Sequence, residues 1–349
     1  MKINNLIDKF LFFWPFNFSP MAFNVVFELT YLCNLNCSFC YLRIEENKRK
    51  LKQKKILSIK ETFKIIDKIP NLASISFTGG EIFTIKDILK ILKYAKKKHR
   101  VGFISNLTLN NIKTNQELVN LNIDAVMFSI DGKKTLHNKI RGDGCFEKTI
   151  NNVAQIQKIK QTKQTKKPIF TMNTVIMPEN VNQLGDLVKL AYKLRIDNLN
   201  FQLLDPSINR SGYQLFDNLD HLDSNLDKIT RINKKRLELS LKNAISKAQK
   251  LNLNLTFSPS FKLNSVLDYY QAKVNLKNFY CSKIFTSTRI SPYGEMYPCF
   301  NLKMGNLLKN NFFKLFNSSK YQKFRQQIKK GTYKGSCVGC CHYKLKDNL

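Results

Sequence analysis

At 349 residues the chain is long enough for one large domain with a small appendage, and 43% hydrophobic residues with only 13 glycines and 9 prolines exclude a disordered or fibrous protein. The formal net charge is +33, yet only ten of the 58 basic residues are arginine, which argues for a lysine bias spread over the surface rather than a nucleic-acid site. Nine cysteines gather near the two ends with Cys145 alone between them, a pattern that suits metal or catalytic use in a reducing cytoplasm better than a secreted disulfide framework.

Residues 1–24 read as a separate segment. Phe10 to Phe27 is uncharged and rich in phenylalanine, but Pro15, Pro20, Asn17, Ser19 and Asn24 interrupt it, so it makes a poor transmembrane helix or signal peptide. It is expected to cap the following domain or, flanked by lysines, to make peripheral contact with a membrane.

From Val25 the pattern alternates short apolar runs with stretches of helical period, which predicts repeated βα units and a parallel sheet over residues 25–258. The first strand, Val25 to Leu29, leads into ELTYLCNLNCSFCY, where Cys33, Cys37 and Cys40 stand at C-x3-C-x2-C spacing. One loop so spaced can gather three thiolates around a cluster and leave one iron open to an exogenous ligand; a zinc knuckle or plain buried thiols are the alternatives. Ile44 to Lys55 is a charge-dense connection. Ser58 caps a helix to about Lys68, with Glu61 completing a capping box. The second strand, Leu72 to Phe77, ends in Thr78, Gly79, Gly80 and Glu81, where paired glycines let backbone approach a ligand closely.

A helix over Ile85 to Lys98 precedes the strand Val101 to Ser105 and then Asn106. The strand Ala125 to Ile130 runs into Asp131 and the segment carrying Arg141, whose guanidinium suits a carboxylate unless it is merely a surface arginine. Cys145 is expected as a free thiol. After a helix from Phe146 to about Lys160 come the strand Ile169 to Ile176 with Asn173, the helix Val181 to Leu194 and the strand Leu199 to Leu204. A polar loop, Asp205 to Asn225, with the lone His221, is placed over the sheet mouth, before a helix over Leu226 to Leu251 and a strand over Leu253 to Ser258.

Residues 259–349 form the predicted small C-terminal domain. TSTRISPYGEMYPC reads as a hairpin turning near Gly294, with Cys281 and Cys299 at one end. Cys337 and Cys340 return after a helix near Asn311 to Gln327, so four thiolates can close a site, with Cys341 a substitute for Cys340. Structural zinc suits these cysteines as well as iron–sulfur does.

The first motif, with Phe39 before Cys40, resembles that of the radical S-adenosylmethionine (radical SAM) superfamily. Gly79-Gly80-Glu81 and the segment FSIDGKKTLHNKIRGDGCFEKTINNV are similar to further family regions, with Ile82 and Ser105-Asn106-Leu107 departing from the family's usual proline and Thr-Asn-Gly. The spacing of the last four cysteines, with Gly305 and Asn306, resembles the family's twitch and SPASM extensions, although the chain has fewer cysteines than a full SPASM domain.

The resemblance implies an α/β fold with a partial (β/α)6 TIM-like barrel and a small hairpin-plus-helix cluster domain. It also implies a 4Fe–4S cluster on Cys33, Cys37 and Cys40 that binds S-adenosylmethionine, and one auxiliary 4Fe–4S cluster on Cys281, Cys299, Cys337 and Cys340. Phe39 is implied near the adenine, Gly79, Gly80 and Glu81 at the methionine amino group, Ser129 and Arg141 at the carboxylate or ribose, and Asn173 at the ribose, with Asn106 a lesser candidate.

The implied activity is a 5'-deoxyadenosyl radical taking hydrogen from a small alcohol such as a sugar, or from a peptide side chain. Only 32 residues precede Cys33, too few for a peptide-recognition domain on that side, which favours the small alcohol slightly. The expected partners are a reducing donor such as flavodoxin or ferredoxin and the substrate, not nucleic acid, with the chain a monomer. A non-catalytic iron–sulfur or zinc protein holding RNA or membrane through its lysines is the rival reading.

Overall fold

The structure, a computed structural model, describes residues 2–40, 42, 56–204, 229–275, 278–299, 302–331, 337, 340, 342, 344 and 345. The expectations for Ile44 to Lys55, for the loop with His221 and for Cys341 lie outside these residues. Helix α1 (Lys2–Phe13) precedes strand β1 (Asn24–Thr30). Helices and strands then alternate as α2 (Ile59–Lys68), β2 (Ser74–Gly79), α3 (Ile88–Lys96), β3 (Val101–Ile104), α4 (Ile112–Asn120) and β4 (Ala125–Ser129). They continue through α5 (Lys134–Arg141), α6 (Cys145–Thr162), β5 (Ile169–Ile176), α7 (Leu184–Lys193), β6 (Asn198–Leu203), α8 (Lys234–Lys250) and β7 (Asn254–Ser258).

Strands β1 to β7 pair in chain order, each parallel to the next. Successive side chains on a strand point to opposite faces, and here the two faces differ in chemistry. Val25, Phe27, Ile75, Phe77, Val126, Phe128, Phe170, Met172, Leu199 and Phe201 are buried in one large core that also includes Ile65 and Ile66 of α2 and Ile91 and Leu92 of α3. Burying each such side chain stabilises the fold by about 1.5–3 kcal/mol. The alternate positions carry Glu28, Ser76, Ser129, Asn173, Asn200 and Gln202, so the inner face of the sheet is polar.

Beyond β7 lie α9 (Leu263–Tyr270), β8 (Phe279–Tyr280), β9 (Ser287–Ile290), β10 (Glu295–Tyr297), β11 (Gly305–Asn306), α10 (Phe312–Phe316), α11 (Ser319–Lys329) and β12 (Lys344–Leu345). The expected hairpin is present, with Gly294 at φ +79° in its turn. It continues the main sheet, because β9 pairs in parallel with β1 from Asn24–Ser287 to Phe27–Ile290. An otherwise open edge at β1 is thereby covered. The ten strands run β11-β10-β9-β1-β2-β3-β4-β5-β6-β7.

Several helices differ from the sequence expectation. The Ser58–Glu61 capping box of α2 forms as expected. By contrast, α8 starts only after Asn233, whose side chain accepts from the Arg236 amide, rather than near Leu226. The helix expected over Asn311 to Gln327 is two helices, because Asn317 leaves the helical path and Ser318 caps α11 through its hydroxyl. Helices α1, α4, α5 and α9 were not anticipated. Of these, α4 and α5 span nine and eight residues, each with few buried apolar positions.

Candidate functional site

The cysteine loop follows β1 directly and is held by the carboxyl ends of the next strands. The Gly80 amide donates to the Thr30 carbonyl at 2.7 Å and the Glu81 amide to the Leu32 carbonyl at 2.8 Å. A Cβ on Gly79 would stand 2.0 Å from the Thr30 oxygen, and one on Gly80 2.1 Å from the Leu32 oxygen. Gly79 also has φ +135°. Close backbone approach at the end of β1 and at the start of the cysteine loop therefore requires glycine at both positions.

Glu81 is fully buried and braces the third strand end. Its carboxylate accepts from the Phe83 amide (3.0 Å), the Ser105 hydroxyl (2.8 Å) and the Asn106 amide (2.7 Å). Burial pushes the Glu81 carboxyl upward, and these donors act against it. Asn106 in turn donates to Asn34 in the cysteine loop at 3.0 Å, while Thr108 holds its side-chain oxygen. The next residue, Leu107, adopts φ +57°, a conformation for which glycine is better suited, and is completely buried.

Helix α5 brings Arg141 to the loop. Arg141 Nε donates to Asp131 Oδ2 at 2.5 Å, its Nη1 lies 3.8 Å from Cys37 Sγ, and its guanidinium sits 5.2 Å from the centre of the Phe39 ring. The Ser38 amide also donates to the Ile140 carbonyl, fastening the loop to the end of the helix. Asp131 is buried and accepts from the Val175 amide, while its own amide donates to His137 Nδ1. Burial, helped by the Arg141 charge, holds His137 at about 4, so it is a neutral acceptor. Sequence reading named Arg141 but missed Asp131 and His137 as its support; a short polar helix gave little signal.

Cys33 is exposed at the surface of the loop, Cys37 is buried and Cys40 lies between them in exposure. Burial pushes the Cys33 thiol up to about 11, aided by Glu81, Cys37 and Cys40; burial also raises Cys37, against the pull of Arg141. Crowded thiols that resist ionisation fit a cationic iron–sulfur core, which takes the place of their protons on binding. Among the described residues no three His, Cys, Asp or Glu side chains are placed to hold a single metal ion.

Ser129 lies half-buried at the end of β4, in register with Asn173 on β5. The Asn173 amide is engaged at both ends, donating to Gln202 at 3.0 Å and accepting from Asn200 at 2.5 Å. Cys145 is buried, with its thiol 3.6 Å from Asn138 Oδ1.

In the second constellation burial lifts Cys281 to about 12, with Cys340 and Cys337 the next contributors. Cys281 and Cys299 both pack against the small core of Leu11, Phe12, Tyr280, Ile284, Phe285, Leu302, Phe324 and Ile328. The parallel strands and this region are linked through Glu28. Its carboxylate accepts from Tyr31 at 2.7 Å and from Arg289 and Tyr297 of the hairpin strands.

Residues 27–191 match the family model of the Radical SAM superfamily, and residues 281–343 match that of SPASM, an iron-sulfur cluster-binding domain. The chain thus carries a radical SAM domain followed by a SPASM iron–sulfur domain. It is 28% identical over 176 residues to the tungsten-containing aldehyde ferredoxin oxidoreductase cofactor-modifying protein of Pyrococcus furiosus, covering 49% of this chain and 48% of that protein. To the antilisterial bacteriocin subtilosin biosynthesis protein AlbA of Bacillus subtilis it is 23% identical over 357 residues, 94% of this chain and 69% of AlbA. A PqqA peptide cyclase of Bradyrhizobium diazoefficiens matches over 52% of this chain and 45% of its own length. The chain thus spans about half the length of the first curated relatives it matches.

Its fold is that of Streptococcus suis SuiB bound to S-adenosylmethionine, with a TM-score of 0.62, 15% identity and coverage of 93% of this chain and 70% of that one. That likeness is one of fold, and the two matched domains follow one another in the order radical SAM then SPASM.

Proposed function

We propose that this enzyme abstracts hydrogen from a side chain of a peptide substrate and oxidises or crosslinks it. The observation that carries the reading is convergence. The carboxyl ends of β1 to β4 all fasten the Cys33–Cys40 loop, through the glycine pair, Glu81, Asn106 and Arg141.

In this reading Cys33, Cys37 and Cys40 hold a 4Fe–4S cluster, and Cys281, Cys299, Cys337 and Cys340 hold one auxiliary 4Fe–4S cluster. When bound, these clusters and S-adenosylmethionine supply reductive cleavage at sulfur, a carbon radical able to take a hydrogen atom, and an acceptor for the electron left on the substrate. The chain's own part is positioning. Gly79 and Gly80 allow the loop to seat on β2, and Glu81 and Asn106 fix the third strand end beneath it. Arg141 keeps a cation against the Cys37 sulfur, oriented by Asp131. Phe39, packed with Ile140, Val175 and Met177, walls the loop on that side. Ser129, Asn173 and Gln202 give the inner face hydrogen-bonding groups suited to an amide or hydroxyl.

Peptide rather than sugar is favoured by relatives named for peptide cyclisation and bacteriocin biosynthesis, of which AlbA matches nearly the whole chain, and by a similar fold seen bound to a precursor peptide, SuiA. No helix among the described residues is long and apolar enough to cross a membrane. The test is to incubate the reconstituted enzyme anaerobically with reductant, S-adenosylmethionine and the short peptides encoded beside its gene. A peptide product lighter by two hydrogens supports the reading. Formation of 5'-deoxyadenosine stimulated by sugar alcohols and by none of the peptides contradicts it.

A further inference from the structure

Helix α1 is apolar on two sides, and among the described residues only one of them is covered. Ile7, Leu11 and Phe12 pack into the small C-terminal core, with the Phe12 ring 5.2 Å from Tyr280 and 6.3 Å from Phe285. On the other side Leu6, Phe10 and Phe13, at spacing i, i+4 and i+7, are 67, 59 and 61% exposed. The chain beyond the helix adds Trp14, Phe16 and Phe18, also exposed. Phe10 meets Trp14 at 5.0 Å, Trp14 meets Phe16 at 6.1 Å, and Phe18 meets the exposed Phe313 of α10 at 5.7 Å. A helix with a second apolar stripe facing water has a surface meant to be covered, and contiguous exposed rings mark where.

The charge beside these rings indicates what covers them. Between Glu295 and Asp347 the sequence has no acidic residue and carries ten lysines and one arginine in 51 positions, against +33 over all 349 residues. This stretch is fastened to the aromatic segment. Lys329 donates to the Trp14 and Phe16 carbonyls, and Arg325 Nη1 donates to the Asn17 carbonyl at 3.0 Å. Lys314 and Lys323 are exposed on the same two helices, α10 and α11, that carry Phe313 and Arg325, and Lys330 is exposed just after α11.

We propose that this aromatic and basic surface docks the enzyme on an anionic lipid bilayer, with the rings at headgroup depth and the lysines over acidic headgroups. Aromatic side chains favour the membrane–water interface, and lysine-rich surfaces are drawn to negative lipids. Single-stranded RNA fits less well. The rings contact one another rather than standing apart for bases, and the one arginine of the stretch is buried beneath Phe316 and Tyr321.

The test uses the full reconstituted chain in sedimentation with vesicles of phosphatidylcholine alone or mixed with phosphatidylglycerol. The wild type should sediment with the mixed vesicles, not with neutral ones, and be released by salt. Phe10→Ser with Phe13→Ser should lower the partition about tenfold, and Lys314→Gln with Lys323→Gln should weaken it and flatten its salt dependence. Both variants should cleave S-adenosylmethionine at the wild-type rate, so this proposal and the catalytic reading fail separately. Equal recovery in the supernatant with either vesicle overturns the proposal. So does ring-dependent self-association by sedimentation velocity without vesicle binding, or preferential capture of RNA over lipid.

Discussion

Arg141 touches Asp131 and Cys37 at once, with Nε 2.5 Å from the carboxylate and Nη1 3.8 Å from the sulfur. A cation at that distance from a cluster thiolate stabilises the more negative, reduced cluster. Arg141→Gln should therefore lower the ratio of reduced to oxidised cluster at fixed poise about tenfold, equivalent to about 59 mV for one electron. Arg141→Lys keeps the charge but loses the Nε bond to Asp131, and should fall between. Redox titration followed by electron paramagnetic resonance measures both; a wild-type midpoint in Arg141→Gln would refute the role.

Gly80 leaves no room for a side chain, because its Cβ would meet the Leu32 carbonyl at 2.1 Å. Gly80→Ala should push the cysteine loop off β2 and cut S-adenosylmethionine cleavage at least about tenfold, as misplacement near 1 Å commonly does. The circular dichroism spectrum should stay native, since the clash is confined to the loop. Wild-type cleavage would show that the loop does not need this seat.

Glu28 and Arg289 tie β1 to the hairpin, with side chains 1% and 15% exposed. Removing one partner strands the other in the interior, so Glu28→Gln or Arg289→Met alone should destabilise by about 3–5 kcal/mol. Together they should cost less than the sum of the singles, a coupling that a double-mutant cycle by denaturant unfolding measures. Additive losses would mean that the pair does not join the two regions.

Asp124 stands at the opposite ends of the strands, where it accepts from the Val101 amide and pairs with Lys96 and Lys167. Burial alone would raise its carboxyl, but Lys167, Lys96 and the Val101 amide outweigh it and hold the group at about 2, against 3.8 in an unperturbed chain. A lowered carboxyl pKa means that the unfolded chain binds the proton more tightly. Its stabilisation is therefore complete above about pH 4 and disappears as pH falls through about 2. Asp124→Asn should be less stable at pH 7 by about 2 kcal/mol, and the difference from wild type should shrink over that acid range. A difference independent of pH would contradict the ion-pair account.

Much of this architecture was legible because the strand signals are strong. Val25 to Leu29 and Ile169 to Ile176 are rich in β-branched and aromatic residues with apolar side chains on one face, and the cysteine spacing is chemically specific. Less legible was what each site residue touches. Gly79 and Gly80 were expected against a ligand, and the structure adds a second demand for them, the close approach of the Thr30 and Leu32 carbonyls. Asn173 was open between a ligand contact and a buried strand asparagine, and the structure shows both ends of its amide hydrogen-bonded to Gln202 and Asn200. Leu107 departs from the glycine of the usual family pattern, yet it adopts the left-handed backbone that a glycine would suit, held by complete burial of its side chain. The support behind Arg141 was hidden because Lys134 to Arg141 has only His137 and Ile140 buried, too few apolar positions for a helical period. The joining of the hairpin to β1 depends on contacts some 260 residues apart, which no local pattern encodes.

The most direct measurement is anaerobic cleavage of S-adenosylmethionine by reconstituted protein, read as 5'-deoxyadenosine alongside iron content. The wild type with dithionite should release 5'-deoxyadenosine. Alanine at Cys33, Cys37 and Cys40 should abolish the release and remove about four irons, while the absorbance of the auxiliary cluster remains. No release from the wild type, or full iron retention in the triple variant, would contradict the assignment of the cysteine loop.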